Sequence, residues 1–228
     1  MESIIIDNIP VEIDDELLRA GLKVRPGSSM ALRLSEISKS ALDVARPKAA
    51  LRLLDITNCG DDFITVEGIT LNSRVLSVNL KDSPNLTVFA ATCGTELDEW
   101  ASQYDSYLEQ FWADTIMFLA LGIAMQEVND RIKKILDAET VSTMNPGSLE
   151  DWPITEQAKL FTLLKNETAD IGIILNESFL MKPLKSVSGL TYASGEIFHN
   201  CQLCPRLDCP GRRAPFEDGL YEKRYKMS

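Results

Sequence analysis

Apolar positions in the first part of the chain recur with the spacing of helices. Asp14 is typical of a helix N-cap, and Gly21 is a natural stop for the helix that it begins. Over 26–56 the apolar spacing predicts one or two amphipathic helices, the second of which begins at Pro47. The pattern therefore predicts an N-terminal helical layer over about 1–58.

The pattern then changes to short runs of β-branched and aromatic residues separated by Gly, Asn, Asp, Ser and Pro. We interpret the runs at 63–66, 75–78 and 86–90 as three strands of a sheet rich in hairpins. Helical periodicity returns and continues almost without interruption over 107–136. This segment predicts a long central helix.

Turn and strand signals reappear after the central helix. The segment 144–148 predicts a rigid turn, and 154–165 predicts a further amphipathic helix. Strand-like runs follow at 171–175 and 186–192. Because helices and strands are segregated along the chain, the predicted class is α+β, with N-terminal helices, a twisted antiparallel sheet and a long central helix.

Composition narrows the class of function. The 228 residues suffice for a buried core, and 23 basic against 34 acidic residues give a formal charge of −11. This charge repels phosphate backbones and anionic lipids, so neither nucleic acid nor a membrane is an expected partner. The apolar run at 116–125 is shorter than the ~20 residues of a membrane span. Without a leader-like start, the chain is expected to be cytoplasmic.

The end of the chain differs in composition, because cysteine, arginine and proline accumulate there. We expect an α+β domain over 1–198 and a Cys-rich, metal-binding tail over 199–228. The candidate metal ligands are His199, Cys201, Cys204 and Cys209. This spacing suits a Cys3His zinc site, or an iron–sulfur cluster with Cys59, Cys93 or an open position as the fourth ligand. Reduced thiols without a metal are the alternative.

Four short segments carry a resemblance to a known family. They are Asn145-Pro146-Gly147, Trp152-Pro153-Ile154-Thr155-Glu156-Gln157, Glu177-Ser178-Phe179-Leu180-Met181-Lys182-Pro183 and Ser186-Val187-Ser188-Gly189. In this order and spacing the chain resembles the S-adenosylmethionine-binding activation domain of cobalamin-dependent methionine synthase, as a stand-alone member with a Cys-rich C-terminal tail. The resemblance covers roughly residues 60–200 and includes the turn before Leu97.

The resemblance implies a helper reaction. Cobalamin in such methyltransferases is occasionally oxidised from cobalt(I) to inactive cobalt(II), and the activation domain traps its one-electron reduction by methyl transfer from S-adenosylmethionine. The implied partner is a corrinoid-binding protein or a cobalamin-dependent methyltransferase, with an electron donor such as a flavodoxin or ferredoxin. Since that reaction needs an electron, it favours iron–sulfur over zinc in the tail. The cofactors carry the chemistry, so no catalytic side chain is expected.

The resemblance also implies which residues contact the cofactor. The candidates are Glu127, Asn145, Pro146, Gly147, Ser188 and Gly189. The Glu127 carboxylate suits the amino group or the sulfonium of S-adenosylmethionine, although an ion pair with Arg131 one turn later is an equal alternative. The proline–glycine pair lets backbone groups approach a ligand, or it is an ordinary turn. Gly189 is either a contact or a bulge in a half-buried strand.

Two positions depart from the family pattern. Thr143 stands where family members usually carry an arginine, and Ser148 stands in place of a tyrosine, before an apparent insertion. Threonine has neither the charge nor the bidentate geometry that clamps a carboxylate. Arg212 or Arg213 of the tail could supply the missing charge.

These departures leave other functions open. In one alternative, the chain is an accessory module that no longer binds S-adenosylmethionine and that uses a metal-bearing tail to transfer electrons or to dock. In another alternative, the chain is a regulatory or structural protein that retains only the fold. The activating function stays first because four ordered segments support it.

Overall fold

The computed structural model describes residues 3–7, 9–206, 208–209 and 211–226. A seven-stranded antiparallel sheet runs through the centre, in the order β4-β3-β2-β5-β9-β6, with β1 paired to β2 beside β3. A two-stranded ribbon pairs β7 with β8. The strands are β1 (Ser3–Ile6), β2 (Lys48–Cys59), β3 (Phe63–Val66), β4 (Ile69–Asn72), β5 (Asn85–Thr92), β6 (Val141–Met144), β7 (Ile174–Leu175), β8 (Met181–Lys182) and β9 (Ser186–Ala193).

Helices cover both faces of this sheet. They are α1 (Asp15–Gly21), α2 (Ser29–Val44), α3 (Arg74–Leu80), α4 (Thr95–Ala101), α5 (Tyr107–Leu136), α6 (Gln157–Leu164), α7 (Glu167–Asp170) and α8 (Leu220–Arg224). Alternation along β5 directs Val88 toward the core that contains α3 and α6, and Phe89 toward α5. A third core joins α1, α2 and α4 to the first half of α5.

The central helix α5 is apolar because it packs against two neighbours. Its first half, including Trp112 and Ile116, is buried against the N-terminal helices, and its second half buries Ala124, Val128 and Ile132 on the sheet. Within the described ranges it is the one helix long and apolar enough to cross a membrane, judged by length and composition alone. Burial accounts for part of that composition, while the large apolar side chains of Leu108, Phe111 and Phe118 are exposed.

Several predicted elements are confirmed. The central helix has the predicted bounds, and the strands at 63–66, 86–90 and 186–192 lie within β3, β5 and β9. The first helix is capped by Asp14, whose Oδ1 accepts hydrogen bonds from the backbone N–H groups of Glu16 (2.8 Å) and Leu17 (3.0 Å). The predicted α+β class is correct.

Three local predictions are wrong. The segment after Pro47 is not a helix but the long strand β2, which is apolar on both faces because core covers both of its sides. The helical layer therefore ends at Val44, before the predicted limit near 58. The run at 75–78 belongs to helix α3, and of the run at 171–175 only the last two residues form a strand.

The distal part of the tail is attached to the domain. Tyr225 is fully buried in the core beside Phe198, with ring centroids 6.4 Å apart. Its hydroxyl donates to Oδ1 of Asn79 (3.1 Å), and its carbonyl accepts from Nε of Arg74 (2.9 Å). The end of the described chain thus shares a core with the sheet.

Candidate functional site

Strands β6 and β9, with the turn that follows β6, form a rigid edge of the sheet. Asn145 at the end of β6 donates from Nδ2 to the carbonyl of Ser188 (2.9 Å). A Cβ at Gly189 would lie 2.6 Å from that Nδ2 and 2.6 Å from the carbonyl oxygen of Met144. The structure therefore brings the predicted turn and the predicted strand residues into direct contact, and only glycine fits at this point.

A buried glutamine connects three of the segments that carry the family resemblance. Ser188 donates from Oγ to Oε1 of Gln157 (3.1 Å), and Gln157 donates from Nε2 to the carbonyl of Phe179 (2.9 Å). Ser188 and Gln157 are both almost completely buried. The Ser188 hydroxyl is thus committed to a structural hydrogen bond. We assigned Gln157 no role from the sequence, because its two partners are distant along the chain.

The turn after Asn145 is closed by backbone contacts. Gly147 has a left-handed φ of +79° and donates its N–H to the carbonyl of Trp152 (2.8 Å). Pro146 is buried, whereas Gly147 and Ser148 are exposed. Asp151, which follows the apparent insertion at Leu149-Glu150, accepts hydrogen bonds from the backbone N–H groups at the start of α3.

A cavity of about 290 Å³ opens beside Thr143, the position where the family arginine is missing. The residues of its lining that bear on binding are Lys133, Glu139, Thr143, Phe198, His199 and Arg213. Thr143 shares a hydrogen bond with Thr191 through their Oγ1 atoms (2.9 Å), and its backbone forms a parallel bridge to His199. The cavity therefore combines basic groups, one carboxylate and an aromatic wall.

All the lining residues of this cavity lie outside the four motif segments, and two of them are basic. Lys133 lies near the end of α5, and Arg213 comes from the tail. Periodicity on α5 could have indicated that Lys133 and Asn129 share a face, since they are four residues apart. Of the two tail arginines that the sequence offered for the missing charge, Arg213 lines this cavity and Arg212 does not.

Glu127 does not line the cavity beside Thr143. Its side chain is 44% exposed, and its Oε1 lies 4.0 Å from an Arg131 guanidinium nitrogen, the alternative that the sequence left open. It lines a cavity of about 280 Å³ with Ile5 and Pro10 of the N-terminal segment. This cavity shares no lining residue with the cavity beside Thr143, and the candidates Asn145, Pro146, Gly147, Ser188 and Gly189 line neither of the two cavities.

The tail is organised around one guanidinium group. Arg212 donates to the carbonyls of Cys201, Cys204 and Ala214, each at 3.1 Å, and also to the carbonyl of Arg206. These bonds close the cysteine-rich segment into a loop. The guanidinium of Arg212 therefore donates its hydrogen bonds within the tail. Arg212 does not line the cavity beside Thr143.

Electrostatics distinguish two tail residues. Burial alone would raise the pKa of the Cys201 thiol, but the backbone N–H groups of Arg213 and Ala214 and the nearby guanidinium charges outweigh it and lower that pKa. Burial and the charge of Arg213 lower the pKa of His199. His199 is therefore neutral at pH 7 and can act as a hydrogen-bonding group there.

The predicted metal ligands do not form a preassembled site. Over residues 3–7, 9–206, 208–209 and 211–226, no group of three or more His, Cys, Asp or Glu side chains is placed to hold a metal ion. All five cysteines are free, and Cys93 is buried in the helical layer, where burial raises its pKa to about 12. Cys59 contacts Ser77 instead of the tail. A metal on His199, Cys201, Cys204 and Cys209 stays a prediction.

Comparison with known proteins identifies the architecture. No family model and no curated protein matches this chain. Among solved structures, it is similar to one described as the crystal structure of the MetH reactivation domain bound to AdoHcy, with a TM-score of 0.64 and 17% sequence identity. The likeness covers 89% of this chain and 82% of that chain. At this identity it establishes a shared α+β fold with a long central helix.

Proposed function

We propose that this chain binds S-adenosylmethionine in the cavity beside Thr143 and donates its methyl group to the corrinoid of a partner protein, which reactivates that protein. The observation that carries the proposal is the fold likeness, which extends over nearly the whole chain, to a domain bound to AdoHcy. AdoHcy is what S-adenosylmethionine becomes when it has lost its methyl group. A fold of this kind, with a cavity lined by Thr143 of the strand that leads into the Asn145 turn, suits the same ligand.

The local geometry supports a ligand at this edge of the sheet. Asn145, Ser188 and Gly189 hold the turn and β9 in fixed positions, so the first two act as supports for the site and Gly189 permits the close approach. Pro146 and Gly147 continue from β6, whose Thr143 lines the cavity. A site on strands and a closed turn is preorganised, which lowers the entropic cost of orienting a ligand.

The part of the protein in the reaction is orientation. A reduced cobalt(I) corrinoid takes the sulfonium methyl group, so one carbon–sulfur bond breaks, one cobalt–carbon bond forms and AdoHcy leaves. The electron that first reduces cobalt(II) comes from a separate donor, for which a flavodoxin or ferredoxin is suitable. The cavity would hold the ligand with its methyl group directed outward, toward the partner, while Glu139 favours the positive charge of the ligand.

Methyl transfer to a corrinoid protein tests the proposal. A cobalt(II) corrinoid protein would be mixed with a one-electron reductant and S-adenosylmethionine labelled in its methyl group, with and without this chain. We expect labelled methylcobalamin to form much faster when the chain is present. Equal rates with and without it, over a panel of corrinoid proteins, would refute the methylating function.

The second candidate is an accessory module that transfers electrons or docks through a metal-bearing tail. The observation that favours it is the loop that Arg212 closes on the carbonyls of Cys201 and Cys204, which holds two of the candidate ligands in one short segment. Anaerobic purification followed by metal analysis tests it. About one equivalent of iron or zinc that is lost in a Cys204→Ser variant would support this candidate, and a colourless, metal-free protein would refute it.

A further inference from the structure

Two basic side chains reach the cavity beside Thr143 from opposite parts of the chain, Lys133 from α5 and Arg213 from the tail. We propose that these two groups form the subsite for the carboxylate of an amino-acid ligand, so that the tail completes the ligand site. This inference rests on the proposed function, because it takes the amino-acid end of S-adenosylmethionine as the ligand group.

Arg213 is available for a ligand because the fold uses its backbone and not its guanidinium. Its N–H donates to Sγ of Cys201 (3.4 Å). The adjacent Arg212 makes the hydrogen bonds that close the loop, which fixes the position of Arg213 without engaging its side chain. Along the described chain, no ion pair involves Arg213 or Lys133. Two uncompensated positive charges therefore line one small cavity.

His199 lies in the same cavity wall as Arg213, since both residues line the cavity beside Thr143. The neutral ring of His199 can accept or donate one hydrogen bond beside the guanidinium. Together they form a polar corner next to Thr143.

The chemistry of the lining selects a zwitterionic ligand. A planar guanidinium matches a carboxylate in a bidentate arrangement, and the Lys133 ammonium adds a second positive charge. Glu139 lines the same cavity and suits the amino or sulfonium group of the same molecule, while Val141 and Phe198 supply apolar walls. A purely anionic ligand such as phosphate would leave Glu139 opposed by like charge.

Calorimetric titration with two ligands tests the subsite. The ligands are S-adenosylmethionine and its decarboxylated analogue, which keeps the sulfonium and the amine. We expect Arg213→Ala to weaken binding of S-adenosylmethionine about tenfold and to leave binding of the analogue nearly unchanged. Lys133→Ala should act in the same direction with a smaller effect. The matched controls are Lys134→Ala and Arg206→Ala, exposed neighbours that do not line the cavity.

A second readout does not depend on affinity. His199 is the single histidine of the chain, so its ring proton signals in an NMR spectrum need no assignment. S-adenosylmethionine should shift these signals in the wild type, and the shift should be smaller in Arg213→Ala.

The outcomes separate this inference from the proposed function. If the wild type binds S-adenosylmethionine but Arg213→Ala weakens both ligands equally or neither, the carboxylate subsite is refuted and the proposed function survives. If the carboxylate-specific loss is found but no corrinoid is methylated, the subsite stands and the proposed function fails. Wild-type protein that binds neither ligand refutes both.

Discussion

The edge of the sheet beside the cavity and the tail that folds over it are held together in different ways. At the edge, the buried side chains of Gln157 and Ser188 form a hydrogen bond with each other. Asn145 and Gln157 also donate hydrogen bonds to backbone carbonyls of Ser188 and Phe179. In the tail, the partly buried side chain of Arg212 donates hydrogen bonds to several backbone carbonyls of a largely exposed loop. The edge is therefore rigid and fixes the shape of the site, whereas the tail is more easily opened and supplies its charge.

This division separates the shape of the proposed site from its charge. Thr143 lies on the rigid edge, in register with Thr191 of β9. The tail places Arg213 at the same cavity, so charge can return from another segment. Buried polar networks tolerate little change, because every lost partner leaves a buried group unsatisfied.

The largest expected effect comes from filling the space at Gly189. Gly189→Ala places a Cβ within 2.6 Å of the Met144 carbonyl and of Asn145, so strand or turn must shift. We expect the free energy of unfolding to fall by about 3 kcal/mol. Chemical denaturation measures this loss. Gly195→Ala is the matched control, since nothing lies within 4 Å of its Cβ, and equal stability of the two variants would show that the edge is not tightly packed.

A smaller loss is expected when the connecting glutamine is removed. Gln157→Leu keeps the volume but leaves the Ser188 hydroxyl and the Phe179 carbonyl without their partner. Unfolding should become easier by about 2 kcal/mol, as seen in denaturation curves. Gln126→Leu on the exposed side of α5 should change stability by less than about 0.5 kcal/mol. A neutral Gln157→Leu would contradict the network.

In the tail, the effect should be local. Arg212→Ala removes the donor that closes the loop, so the unfolding free energy should change by only about 1 kcal/mol, while hydrogen exchange of tail amides accelerates. The Cys204 N–H, which donates to the Cys201 carbonyl (3.3 Å), is a suitable reporter. The Gly147 N–H should keep its exchange rate. If both amides responded alike, the tail and the edge would be one cooperative unit.

The smallest effect on the fold is expected from chemical labelling of cysteines, which leaves the fold intact. Because the pKa of Cys201 is lowered, its thiolate forms at a lower pH than that of an ordinary cysteine, and its alkylation by iodoacetamide should level off earlier as the pH rises. Cys93, buried and with a pKa raised to about 12, should react last. Mass spectrometry of labelled peptides over pH 6–9 measures both rates. Faster labelling of Cys93 would show that the helical layer opens readily.

Sequence patterns predicted the central helix and β9 correctly and failed at β2 and α3. The central helix and β9 follow their periodicities. Strand β2 is buried on both sides, and periodicity alone does not distinguish its continuous apolar run from a segment of a buried helix. Helix α3 is capped locally by Ser73, whose Oγ accepts a hydrogen bond from the backbone N–H of Leu76 (3.0 Å), but its short β-branched run at 75–78 looks like a strand.

Short motifs located the contact between the turn at Asn145 and the strand at Gly189, because close backbone approach constrains residue type strongly. Ligand binding by these two residues stays a prediction, since neither lines the cavity beside Thr143. Arg213 was one of two tail arginines offered for the missing charge, whereas Lys133 carried no signal, since exposed basic residues are common and their grouping depends on tertiary structure. Glu127 was assigned by resemblance alone, and the structure places it in a different cavity.

Binding of S-adenosylmethionine to the wild-type chain tests the central claim most directly. In a calorimetric titration under reducing conditions, we predict saturable binding of one molecule per chain in the micromolar range, accompanied by a shift of the His199 signals. Absence of heat and of any spectral change at millimolar ligand would contradict the claim that the cavity beside Thr143 is a site for this ligand.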